Sequence, residues 1–282
     1  MLLLEEEKEQ LKNYDGKDRV LHCEDIQAEI KERLSVEPVV FIKSKIPKLD
    51  DILNGGFKKG QLVVMGGETG KGKTSMLVNL TYRFAEQNKK SLWLSYEMPY
   101  EDLFEKFNWT ELPLPEFYLP RRIQDKDMVW LRKRVIESVV KYKADILFID
   151  HLHSLLPFAC QDEQREIANR VRLLKALALE LNIVIFMAVH TRRALEDIVP
   201  TEKDLKGSTT IGDEADIILF IWRRTLRQTK AEKESEGIKY AGNQSVLWVA
   251  KSRRSGRKDY VPLIYSNQLF TEMSYEYKED PF

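Results

Sequence analysis

The chain has 282 residues, enough for one large domain with a substantial core, or a medium domain with appendages. Lys plus Arg and Asp plus Glu number 45 each, so no global positive field marks a nucleic-acid binder, and any such contact must come from a local patch. Two distant cysteines, Cys23 and Cys160, exclude a disulfide framework, and a start without a basic, apolar leader argues against secretion; a cytoplasmic protein with no membrane span is expected.

Residues 1–40 are charge-rich and read as an extension to a domain over 41–282. They carry one helical candidate, Glu24 to Leu34, whose Ile26, Ile30 and Leu34 recur at helical spacing. Such a stripe packs on its own domain or on a neighbouring subunit, and the pattern does not choose. His22 beside Cys23, and His151 near His153, lack a cluster of ligand spacing and are not expected to hold a metal.

From Phe41 onward, apolar runs alternate with amphipathic stretches. Strands are predicted at Gln61–Met65, Ser91–Tyr96, Asp145–Ile149, Ile183–Val189, Ala215–Trp222 and Ser245–Ala250. Helices are predicted at Thr74–Gln87, Lys126–Tyr142 and Glu163–Leu181, the last with Ile167, Val171, Leu174 and Leu181 on one face. Strand-helix alternation of this kind implies an α/β fold, a twisted, mostly parallel sheet covered by helices, with ligands at the carboxyl ends of the strands. Asn108 to Gln124, punctuated by proline, and Gln228 to Gln244, polar and rich in Lys and Glu, read as surface excursions.

The first strand runs into Gly67-Glu68-Thr69-Gly70-Lys71-Gly72-Lys73-Thr74, a fit to the phosphate-binding pattern G-x-x-x-x-G-K-[ST]. Glycines let backbone N–H groups curl around phosphates, Lys73 supplies an ammonium for their charge, and Thr74 supplies a hydroxyl for Mg²⁺. A nucleoside triphosphate, ATP or another, is the implied ligand. The next strand ends at Glu97, a carboxylate placed to orient and deprotonate an attacking water. Asp145-Ile-Leu-Phe-Ile-Asp150 is an apolar strand ending in the aspartate that holds Mg²⁺ through water. His190 closes another strand as a candidate sensor of the terminal phosphate.

Two further segments carry charge. Lys251, Arg253 and Arg254 lie within four residues at a strand end, and in head-to-tail packing Lys251 and Arg253 reach a neighbour's triphosphate. Thr201 to Asp216 mixes small hydroxylated residues, glycines and lysines, a composition suited to phosphodiester contacts that do not read bases.

In order, these pieces resemble the motor domain of the DnaB-like replicative helicases, more closely the phage and mitochondrial primase-helicase branch, within the RecA-like P-loop ATPases. The residues that carry the likeness are Gly67–Thr74, Ser95-Tyr-Glu-Met98, Ile149-Asp-His-Leu-His153, His190-Thr-Arg-Arg193, Asp204-Leu-Lys-Gly-Ser208, Asp213-Glu-Ala-Asp216 and Lys251-Ser-Arg253. The resemblance implies a homo-oligomeric ring, usually a hexamer, with single-stranded DNA in its centre, ATP between subunits and translocation from 5′ to 3′. By position it implies Glu97 as catalytic base, Asp150 with Thr74 at Mg²⁺, His190 as sensor, and Lys251 with Arg253 acting in trans. Lys206, Gly207, Ser208 and Thr209 would line the DNA. A primase or polymerase is an expected partner, although the stretch before residue 41 is too short for a primase module or an N-terminal collar.

Two departures from the resemblance stand out. His190 occupies the position where DnaB proper has glutamine, and Lys206 stands for the arginine usual in the central loop, keeping charge but losing the bidentate fork. A recombinase or clock-type RecA relative that assembles on DNA or protein without unwinding shares the Gly55-Gly56-Phe57-Lys-Lys-Gly60 lead into the first strand. A loader that uses ATP only as a switch is the third possibility.

Overall fold

The computed structural model describes residues 5–16, 19–36, 39–108, 112–123, 127–156, 162–191, 200–223, 244–267 and 269–273. The chain divides into two compact units, Met1–Val40 and Phe41–Phe282. The first holds α1 (Glu5–Lys12) and α2 (Cys23–Val36); Ile26, Ile30 and Leu34 of α2 are solvent-exposed.

In the second unit the elements follow as α3 (Pro47–Ile52), β1 (Leu62–Gly67), α4 (Lys73–Ala85), β2 (Ser91–Ser95), α5 (Tyr100–Asn108) and β3 (Phe117–Tyr118). Next come α6 (Met128–Tyr142), β4 (Ile146–Asp150), α7 (Glu163–Leu181), β5 (Val184–His190), α8 (Ser208–Glu214) and β6 (Ile217–Arg223). Three more strands follow: β7 (Gln244–Ser252), β8 (Asp259–Ser266) and β9 (Leu269–Glu272). Among the described residues, one nine-stranded sheet orders them β3-β2-β4-β5-β1-β6-β7-β8-β9. Pairing is parallel from β3 to β6 and antiparallel from β6 to β9.

Every residue of β1, β2 and β4 is buried, as strands covered on both faces require. Successive side chains point to opposite faces, so each strand feeds two cores. Val63, Met65, Phe148 and Phe186 pack with Met76, Leu80 and Phe84 of α4 on one face. Leu62, Val64, Leu147 and Ile149 pack with Leu131 and Val135 of α6 and with Ile167, Val171 and Leu174 of α7 on the other. The boundaries of α7 coincide with the expected ones because Asp162 caps it, accepting from the Arg165 N–H at 3.0 Å, and Asn182 ends it in the left-handed region at φ 51°.

The expected strands all form, with ends shifted by one or two residues. The sheet extends beyond them: β8 and β9 lengthen its antiparallel side, and Phe117–Tyr118, inside a segment expected to be a surface excursion, forms the opposite edge beside β2. The excursion expected at 228–244 lies, up to residue 243, outside the described residues. Among the described residues no helix is long and apolar enough to cross a membrane.

Candidate functional site

The parallel register brings the site together. Gly67 at the end of β1 pairs with His190 at the end of β5, and Ser95 at the end of β2 pairs with Asp150 at the end of β4. The phosphate loop, the Glu97 turn, Asp150 and His190 therefore share one carboxyl edge of the sheet, where open α/β sheets present ligands.

The loop turns from β1 into α4 through Gly72, whose φ of 103° is a backbone conformation that suits glycine. Lys73 follows directly, and its buried ammonium donates to the carbonyls of Gly67 at 2.8 Å and Glu68 at 3.0 Å and lies 3.2 Å from His190 Nδ1. Burial lowers its pKa, opposed by the carboxylates of Asp150, Glu97 and Glu68. The neighbouring ammonium adds to burial in lowering the pKa of His190.

Thr74 Oγ1 donates to Asp150 Oδ2 at 2.8 Å. Asp150 Oδ1 is buried without a hydrogen-bond partner, and burial pushes this carboxyl up to about 6. An orphaned carboxylate oxygen beside a threonine hydroxyl is a donor set of hard oxygens, and it fits a divalent cation such as Mg²⁺. The Asp150 carbonyl also accepts from the N–H groups of Tyr96 at 2.7 Å and Glu97 at 3.1 Å, while Ser95 Oγ donates to the Met98 carbonyl at 2.9 Å. Main-chain bonds to the end of β4 thus seat Glu97.

Three histidines gather around this edge. His151 Nδ1 lies 3.0 Å from Glu97 Oε2, and its ring meets that of His190 edge-on with centroids 4.1 Å apart. Donor atoms of Glu97, His151 and His190 all lie within 4.8 Å of one another. His153 is 5.9 Å from His151 and 6.2 Å from His190 between centroids, and both its ring nitrogens are buried without partners. The sequence pattern places His151 and His153 in the motif after Asp150, with no metal expected at them and no role assigned. What it missed was the contact with Glu97, although a histidine directly after the aspartate of a site strand was visible.

The remaining expected residues divide between this edge and the opposite one. Glu68, Thr69, Gly70 and Lys71 form the loop itself, with Lys71 Nζ 3.8 Å from the Glu68 carboxylate. Lys206 N donates to the His190 carbonyl at 2.9 Å, and its ammonium stands 3.1 Å from Glu163. Gly207 precedes α8 as its N-cap at φ 85°, where a Cβ would come within 2.7 Å of the Ile167 side chain. Ser208 and Thr209 open that helix; Arg192 and Arg193 of the expected motif lie outside the described residues.

Lys251 and Arg253 sit at the other edge of the sheet. Ser252 and Lys251 pair with Ile217 and Ile218 at the start of β6, and Ile217 pairs with Val63 near the start of β1. Four residues of strand, about 13 Å, separate that level from Gly67. Lys251 Nζ donates to the Gly212 carbonyl; Arg253 donates to the Asp213 carbonyl and lies 3.4 Å from Asp216. Arg254 behaves differently, donating to the carbonyls of Leu53, Asn54 and Gly56 with its guanidinium 4.2 Å from the centre of the Phe41 ring.

A phosphate loop between β1 and α4, with carboxylates at the ends of the two neighbouring site strands of a mostly parallel sheet, defines a P-loop ATPase domain of RecA-like architecture. The family described as DnaB-like helicase C terminal domain matches residues 42–115 and 117–273, and the chain belongs to it. The Helicobacter pylori replicative DNA helicase DnaB is 30% identical over 214 residues, covering 64% of this chain and 44% of that protein. The Mycoplasma pneumoniae DnaB is 25% identical, covering 86% of this chain and 58% of its own length. The chain thus spans about half the length of the curated relatives it matches.

Solved structures share the fold at 18% identity. One solved ATPase domain superposes with a TM-score of 0.70 over 90% of this chain and 99% of its own, and a KaiC-like protein from Pyrococcus horikoshii with 0.61 over 84% of this chain and 100% of its own. A DnaB-like replicative helicase described with its interactions with primase gives 0.69 over 96% of this chain and 71% of its own.

Proposed function

We propose that residues 41–282 are the motor domain of an ATP-dependent replicative DNA helicase that works as a homo-oligomeric ring, usually a hexamer, moving 5′ to 3′ on single-stranded DNA, with residues 1–40 as its linker. The observation that supports this reading is the split site. The loop, Glu97, Asp150 and His190 stand at one edge of the sheet and Lys251 with Arg253 at the other, so head-to-tail packing is needed to join them.

In this reading the loop amides and Lys73 bind the triphosphate. Thr74 and Asp150 hold Mg²⁺, which when bound neutralises charge on the phosphates. Glu97 takes a proton from the attacking water. Lys251 and Arg253 of an adjoining subunit offset charge in the transition state. His190, in contact with Lys73 and joined by its carbonyl to Lys206, reports the state of the terminal phosphate to the loop of Lys206, Gly207, Ser208 and Thr209, which lines the DNA. A primase is the partner this reading predicts, by analogy with the DnaB-like relative.

A forked-duplex displacement assay with and without ATP, alongside mass measurement of the assembly, tests it. Displacement by a ring supports the motor. DNA-stimulated hydrolysis without displacement would favour the alternative, an ATPase that assembles on DNA or protein without unwinding.

A further inference from the structure

We propose that His151 is a positioning residue: its Nδ1–H holds the Glu97 carboxylate in working orientation, and its ring, packed on His190, makes base and sensor a single unit. The proposal rests on Glu97 acting as the base.

Main-chain bonds fix where Glu97 begins but not where its carboxylate points. The Glu97 N–H is tied to the Asp150 carbonyl at 3.1 Å, whereas the side chain is partly exposed and has three rotatable bonds. A free glutamate at a strand end samples many rotamers, and ordering it costs conformational entropy. His151 removes that freedom from a fixed platform. It is 8% exposed, follows Asp150 at the end of β4, and has its Nδ1 3.0 Å from Glu97 Oε2. Ser154 Oγ lies further off, 3.4 Å from the same nitrogen.

The ring also has a second neighbour. His190 meets it at 4.1 Å between centroids and 68° between planes, and His190 Nδ1 lies 3.2 Å from Lys73. A side chain in contact with both base and sensor passes a shift of either to the other, because close-packed groups do not deform independently. Pre-orienting a base in this way raises turnover without adding to ground-state affinity for ATP.

The test uses the full chain with single-stranded DNA and ATP. His151→Phe keeps a ring against His190 but has no donor, while His151→Asn restores an N–H near the position of Nδ1. His151→Phe should lower kcat about 10- to 100-fold with KM and fluorescent-nucleotide affinity within about threefold, and His151→Asn should recover much of the loss. On a Glu97→Gln background, His151→Phe should lower the residual turnover no further.

Wild-type kcat in His151→Phe, a loss confined to KM, or losses that add in the double variant would overturn the proposal. If His151→Phe does not fold, His151→Ala is compared with His151→Asn, and equal kcat in those two overturns it as well. Full turnover by Glu97→Gln would instead remove the base assignment itself, a separate failure.

Discussion

The main-chain N–H of Lys206 donates to the carbonyl of His190 at 2.9 Å, and the adjoining Thr191 and Leu205 form a β-bridge. The candidate phosphate sensor and the candidate DNA loop are therefore joined by backbone. A displacement of His190 is carried into Lys206 without any side chain in between.

Lys206 pairs with Glu163 at 3.1 Å, but both side chains are about half exposed, so the pair adds little to stability. Lys206→Ala should leave the melting temperature within a few degrees. It should weaken single-stranded DNA binding to a similar degree for every sequence, and make the slope of log affinity against log salt shallower by about 0.7, the value of one phosphate contact. Fluorescence anisotropy over a salt series measures this. An unchanged slope would remove Lys206 from the DNA path.

Arg253 and Lys73 lie at opposite edges of the sheet, and that separation gives a complementation test. Lys73→Ala and Arg253→Ala should each abolish hydrolysis in a homogeneous ring. Mixed in equal amounts and reassembled, about a quarter of the seams pair an intact phosphate loop with an intact arginine, and hydrolysis should return in proportion. If the arginine acted within its own chain, the mixture would stay inactive.

Asp150 is a buried carboxylate pushed up to about 6, chiefly by burial. Between its ordinary value of 3.8 and about 6 the folded state holds more protons than the unfolded, so this group makes stability fall as pH rises through that window. At pH 7 and without divalent cations the ionised group costs up to roughly 3 kcal/mol. Asp150→Asn should therefore melt higher than wild type at pH 7 in chelator while losing hydrolysis, and the gap should close near pH 4. Thermal denaturation at the two pH values decides it; a variant less stable at pH 7 would contradict the burial argument.

Much of this was legible in the sequence, for physical reasons that differ by element. The phosphate loop is read because its chemistry fixes residue types at fixed spacing. The α7 helix is read because Ile167, Val171, Leu174 and Leu181 repeat on one face, and the structure adds the caps Asp162 and Asn182 at the ends that pattern gives. The β8 strand is obscured by Pro262 inside it, and β3 is only two residues long, held by its neighbour β2 rather than by its own propensity. The tie between His151 and Glu97 was hidden because it depends on the pairing of β2 with β4, a contact between segments far apart in the chain.

His153 supplies a prediction of opposite sign. Burial is the main cause of a pKa lowered to about 4, and the nearby Lys206, His151 and His190 push the same way, against the carboxylate of Glu163. Since neither ring nitrogen has a partner, protonation brings no hydrogen bond to offset desolvation. The unfolded chain binds the proton from its ordinary value of 6.5 downward, so stability is complete above that pH and is lost as pH falls towards about 4, by at most about 3 kcal/mol. His153→Phe removes the titration but keeps a ring of similar size. Its melting temperature relative to wild type should therefore rise as pH is lowered from 7 to 4.5, by several degrees for a domain of this size. Parallel curves for the two proteins over that range would show that His153 takes up its proton as readily folded as unfolded.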